Sequence, residues 1–210
     1  MNILRNTSKG FHFYIIGIIL LTLGIALTIL SKLGASPFDA LLVGLYRTFG
    51  LTIGSWEVVV GLTMILCNAL AEKRPPEYIA LLTSLITGFG IDTWLFLLRN
   101  FLEPTNILPQ YSCLLLGIIF TGIGVATYLQ SSIAPNPMDR SMQVISKFTG
   151  WSVTYSRALI SLILVILAFF FSGAIGIGTI INALLSGVLI SLFLPYLEKI
   201  RIKSLHKQTT

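Results

Sequence analysis

Six stretches of the chain run apolar with few polar interruptions: roughly 12–31, 54–71, 78–98, 111–130, 152–171 and 176–197. Each is long enough to cross about 30 Å of hydrocarbon as a helix rising about 1.5 Å per residue. Between the first and second stretch of each half lies a shorter segment, 37–49 and 137–149, too short to span and too regular for a loop. The pattern predicts an all-α polytopic membrane protein of six transmembrane helices, three in each half, with one extra short helix per half. The linkers are short: "AEKRPPEY" at 71–78 breaks two spans with a proline pair, and 99–110 joins the halves.

The halves echo one another at an offset of one hundred residues. Gly17, Ile18, Ile19, Gly24, Ala26, Ser31, Pro37, Asp39 and Gly50 meet Gly117, Ile118, Ile119, Gly124, Ala126, Ser131, Pro137, Asp139 and Gly150. Such spacing marks a duplicated unit. It divides the chain into a first repeat, 1–100, and a second, 101–210, which ends in a basic tail. An odd number of spans per unit makes the second enter the membrane from the opposite face, so the duplication predicts an inverted repeat, a plan common among secondary transporters.

Composition agrees with the bilayer as solvent: 55% of residues are hydrophobic and 10% charged, with mean hydropathy +0.89. The net charge of +6 is scattered between apolar segments rather than gathered into a patch, so it argues for topology and against nucleic acid. With the N-terminus inside, Arg5, Lys9, Lys73, Arg74, Arg140, Lys147, Lys199, Arg201, Lys203 and Lys207 all fall on the cytoplasmic side. Arg157 lies near that face too, and only Lys32, Arg47 and Arg99 fall outside. The first apolar run follows Arg5 and Lys9 like a signal peptide, but its counterpart at 112–130 cannot be one, and it is read as a span. Cys67 and Cys113 have no second Cys or His at ligand spacing and are read as buried, inert thiols.

The repeated motifs are S-P-x-D at Ser36, Pro37, Asp39 and N-P-x-D at Asn136, Pro137, Asp139. Their plain reading is capping: Ser and Asn suit the N-cap, Pro the first helical position, and a carboxylate at the third favours the helix dipole. A sharper reading asks how deep these helix starts lie. From Ser31, five residues to Ser36 extend about 16 Å, roughly half the hydrocarbon thickness. The short helices then fit as re-entrant segments whose N-termini converge near the midplane and bind a solute, in a cavity between the halves. The rival is an interfacial helix, best supported at 137–149, where Met138, Met142, Ile145 and Phe148 form one apolar stripe.

Polar groups at depth are few. Glu57 and Arg157 are repeat-equivalent and opposite in charge, and are read as pairing, lining a pathway or snorkelling. Asp92, in "TGFGIDTW", is the leading sequence candidate for a group that couples a proton or cation. Asn68 and Asn182 suit hydrogen bonds between helices. Glycines in "GFGID" and "GAIGIGT" follow no strand and are read as close helix packing rather than nucleotide loops. His12 and His206 lie at the chain ends and meet no nucleophile, and no G-x-x-x-x-G-K-[ST] is present. The sequence therefore predicts no enzyme, no catalytic residues, no metal and no cofactor.

The stretch "SKLGASPFDALLVGLYRTFGLTIGSWEVVVGL" resembles the bacterial YczE-like (YczE/YyaS/YitT) integral membrane proteins through Gly34, Pro37, Asp39, Gly50, Gly54 and Gly61. Ser36 replaces a usual glycine and Phe38 a usual tryptophan. The resemblance extends through the repeat to the whole chain. It implies a multi-pass protein of the bacterial plasma membrane and brings no substrate with it. Two functions are then expected: a transporter or channel for a small molecule or ion, or a non-transporting assembly or regulatory component that binds a membrane protein partner or a second copy of itself.

Overall fold

The computed structural model describes residues 2–131, 133 and 136–206. Eight helices follow in order: α1 (Asn2–Leu30), α2 (Pro37–Phe49), α3 (Ile53–Glu72), α4 (Tyr78–Arg99), α5 (Ile107–Leu129), α6 (Pro137–Thr149), α7 (Val153–Phe170) and α8 (Ile177–His206). There is no strand among the described residues. Six of the helices are long and apolar enough to cross a membrane, and they contain the six predicted stretches almost end to end. The short helices α2 and α6 take the bounds predicted for them. Arg5, Lys9, Lys203 and Lys207 lie outside the residues whose side chains are described.

Large apolar side chains stand on the outer surface of the bundle, among them Phe89, Phe96, Phe169 and Leu184. A continuous apolar exterior of this kind is stable against lipid and costly against water. The chain is a multi-pass membrane protein.

At the centre α1 and α5 cross antiparallel, and glycines let them approach. A Cβ on Gly24 would stand 2.4 Å from the Thr121 nitrogen and 2.6 Å from the Gly117 oxygen; one on Gly124 would stand 2.3 Å from the Leu21 nitrogen and 2.8 Å from the Gly17 oxygen. Backbone-to-backbone contact through small residues is how helices associate when lipid removes the hydrophobic drive between them. The contacts are reciprocal: Gly17 faces Gly124, and Gly24 faces Gly117. Two of the three glycine pairs that match across the halves thus meet at this crossing.

Around this pair, α4 packs on α1 and α8 on α5. Each short helix docks chiefly on the other half, α2 on α7 and α6 on α3. One relation is broken: α3 and α4 pack along each other, whereas α7 and α8 scarcely touch. Arg157 of α7 bridges part of that gap, its Nη1 lying 3.5 Å from where a Cβ of Gly187 would be.

The ends of the short helices follow from their sequence. Ser36 Oγ accepts the Asp39 N–H at 3.2 Å and Asn136 Oδ1 accepts the Met138 N–H at 3.0 Å, with proline next in each case. Gly50 (φ +78°) and Gly150 (φ +72°) close both helices in a conformation that only glycine adopts freely.

Candidate functional site

Both short helices pack on α3. A Cβ on Gly61 would lie 3.5 Å from Pro137 Cγ, so the first residue of α6 sits beside the middle of this twenty-residue helix. From there α6 runs outward along α3: Asn68 Nδ2 donates to Ser141 Oγ at 3.0 Å, and Lys147 reaches Glu72. α2 also packs on α3, and the Asp39 charge near its start acts on Glu57, one turn before Gly61.

The depth of α2 is plain from its burial. Pro37 to Leu45 form an unbroken run of nine buried residues, which no helix lying on a surface can have. On α6 the buried residues are Pro137, Ser141, Met142 and Val144, so it keeps one polar face toward the outside, the feature that favoured an interfacial reading for this segment.

The repeat-equivalent acids have different partners. Asp39 is 5% exposed, and its Oδ2 accepts the Ser36 hydroxyl at 2.5 Å. Asp139 is half-buried; its Oδ2 accepts the Tyr128 hydroxyl at 2.6 Å, and its Oδ1 stands 4.0 Å from Arg157 Nη2. Arg157, which the sequence also allowed to snorkel, is thus engaged with the second motif. Glu57, 1% exposed, makes no salt bridge among the described residues, and its Oε1 has no hydrogen-bond partner there.

Asp92 has a structural occupation. Its Oδ1 accepts the Gly54 N–H at 2.8 Å, tying α4 to the first turn of α3 where Gly54 and Gly88 meet backbone to backbone. The reading of "GFGID" as close packing is met here, and that of "GAIGIGT" at Gly176 and Gly178, which abut Leu33 and Gly34. Cys113 is buried as expected, but Cys67 is exposed, because it lies on the outward face of α3 opposite the Gly61 side.

Sequence reasoning missed an ionic cluster at one end of the bundle. Arg140 pairs with Glu72 at 2.7 Å and Glu77 at 2.9 Å, and Lys147 pairs with Glu72 at 2.9 Å. A cleft of about 140 Å³ opens beside it, lined by Asn68, Glu72, Arg74, Glu77 and Arg140. The opposite end is joined through backbone carbonyls: Ala35 N–H donates to Ala174 O at 3.0 Å, Gly178 N–H to Leu33 O at 2.8 Å, and the Arg47 side-chain Nη1 to Ser172 O at 2.8 Å. The signal for the first cluster was present in "AEKRPPEY" opposite "DRSMQVISK", but only the packing of α6 on α3 brings the two together.

Residues 8–195 match a family profile described as a family of unknown function, DUF6198. The chain is 42% identical over 189 residues to the uncharacterized protein YyaS of Bacillus subtilis, covering 90% of this chain and 94% of that one. It is 35% identical over 184 residues to the uncharacterized membrane protein YczE of the same organism, covering 87% and 84%. A Haemophilus influenzae protein is 26% identical over 182 residues, covering 86% and 81%. No solved structure matches. With nearly the whole length matched, the chain belongs to the DUF6198 family, among relatives that include YczE and YyaS.

Proposed function

We propose that this protein carries a small solute across the bacterial plasma membrane, as a transporter or channel built from two inverted three-span repeats. The observation that carries the reading is that α6 begins beside Gly61, near the middle of α3, while the buried helix α2 packs on the same helix. Broken backbone at such depth is tolerated where it is buried in protein or lines a water-filled path. The positive ends of two helix dipoles, two prolines and two carboxylates then surround one small region.

Reciprocal packing supports the inverted arrangement. The matched glycines of α1 and α5 face one another in crossed pairs, and α2 and α6 exchange places on α7 and α3. In this reading the solute site lies between Ser36–Asp39 and Asn136–Asp139, and transport proceeds without covalent chemistry. The end bearing Lys73, Arg74, Arg140 and Lys147 is cytoplasmic, together with both termini, because that is where basic residues accumulate. The Arg140–Glu72–Glu77 cluster closes the cytoplasmic entrance, and the contacts of Ala35 and Arg47 with the α7–α8 connection close the outer one.

The test is thermal stability of the detergent-purified protein against a panel of small neutral and anionic metabolites, beside Asp39→Asn and Asp139→Asn. A ligand of the folded state raises the melting temperature with its concentration over its dissociation constant. A saturable rise that Asp139→Asn abolishes is the expected result. A stoichiometric protein partner on co-purification, with no response to any solute, overturns the reading in favour of an assembly component.

A further inference from the structure

The two motifs differ in how their charge is balanced. In the second half Asp139 faces Arg157, an acid opposite a base. At the equivalent positions of the first half stand Asp39 and Glu57, two acids, both more deeply buried than their counterparts. Charges removed from water persist only when compensated, and two like charges side by side raise the cost.

The surroundings do not supply the missing charge. Among the helices packed on α3, α6 carries Asp139, Arg140 and Lys147, and its two bases are taken by Glu72 and Glu77. On α4, Asp92 is bound to the Gly54 amide. On α2 the only base, Arg47, is at the far end, bonded to Ser172, and on α7 Arg157 faces Asp139. The Ser36 hydroxyl gives Asp39 one donor, and the α2 dipole offers about half a positive charge at most. One negative charge remains uncompensated.

Independent polar groups point to the same place. Besides Glu57 Oε1, buried side-chain oxygens without a partner include Ser84 Oγ, on the face of α4 that packs on α3. Ser84 lies against Gly61, one turn beyond Glu57 on the same face of α3. Two unpartnered oxygens one turn apart in one seam suit the lining of a polar site.

We propose that the Glu57–Asp39 pair is a cation site that holds one positive charge, as a proton or an alkali-metal ion, in the role that Arg157 plays for Asp139. A single charge suits it: no group of three His, Cys, Asp or Glu side chains stands together among the described residues, as a tightly held divalent metal would need. The site stands on the burial of both acids, the unpartnered Glu57 Oε1 and the packing of α2 on α3, and does not require that a solute crosses the membrane.

The experiment is a melting-temperature titration of the purified protein without any metabolite. Sodium, lithium or potassium replaces an organic cation at constant ionic strength, and a second series varies pH from about 5.5 to 9. A saturable rise of about 5–10 °C at a hundredfold excess over the dissociation constant identifies an alkali ion. A melting temperature that is indifferent to these ions but falls as pH is raised identifies a proton. In either case Glu57→Gln, which removes one charge and keeps the shape, loses the dependence without losing stability; Asp39→Asn loses it too, and Glu103→Gln in the exposed linker keeps it. Wild-type protein that responds to neither series, or a response unchanged in both Glu57→Gln and Asp39→Asn, overturns the site.

Discussion

Replacing Gly24 by alanine tests the crossing on which the whole bundle is built. The added Cβ would lie 2.4 Å from the nitrogen and Oγ1 of Thr121 and 2.6 Å from the Gly117 oxygen, where ordinary contact begins at 3.4 Å. Two of these atoms belong to backbone and cannot rotate away, so α1 and α5 must part by about 1 Å. A gap of that size forfeits a quarter to a half of the dispersion energy of the atoms it separates. Overpacking of this kind costs about 1–3 kcal/mol, and the rigid neighbours place Gly24→Ala at the upper end, near 3 kcal/mol. In a chain of this length that lowers the melting temperature by about 6–12 °C. The assay is a thermal melt in detergent beside Gly187→Ala, whose new Cβ would meet only the Arg157 guanidinium at 3.5 Å and should leave stability unchanged. Gly24→Ala melting within about 1 °C of wild type, or Gly187→Ala losing as much, would refute the close crossing.

Removing the caps should separate two roles. Asn136→Ala loses one N-terminal acceptor and should cost about 1 kcal/mol in a melt, whereas Ser36→Ala also deprives Asp39 of its hydroxyl donor and should cost more. Tyr128→Phe removes a charge-assisted hydrogen bond to Asp139 and should destabilise by about 1.5–3 kcal/mol, with wild-type stability in that variant counting against the bond. Glu72→Gln removes the acceptor that Arg140 and Lys147 share; limited proteolysis should then cut the α3–α4 connection faster, most clearly at low salt, and an unchanged rate would show that the cluster does not hold that end closed.

The helices were legible because spans and short segments differ in length, and the bilayer makes length decisive. The identities between the halves fall at points of geometric constraint: Gly17, Gly24 and their counterparts at the crossing, Ala26 and Ala126 fully buried, Pro37 and Pro137 at helix starts, Gly50 and Gly150 at helix ends. What could not be read was which polar groups meet. Asp92 stood out in the sequence for its apolar neighbours, yet it closes on a backbone amide. Glu57 looked like a residue near the start of a span, and its depth appears only once α2 and α4 pack over it. The divergence of α7 from α8 has no trace in hydropathy, since both helices are apolar enough to span.

The most direct test of the central claim is the accessibility of Ser36→Cys and Asn136→Cys to a membrane-impermeant thiol reagent in intact and inside-out vesicles, with Cys67 and Cys113 replaced by serine. Converging half-helix starts in a transport path predict that both positions react from water, and that a bound solute protects both. Failure of both positions to react from either side, in protein that still folds, would contradict the account and leave the two prolines as caps of buried structural helices.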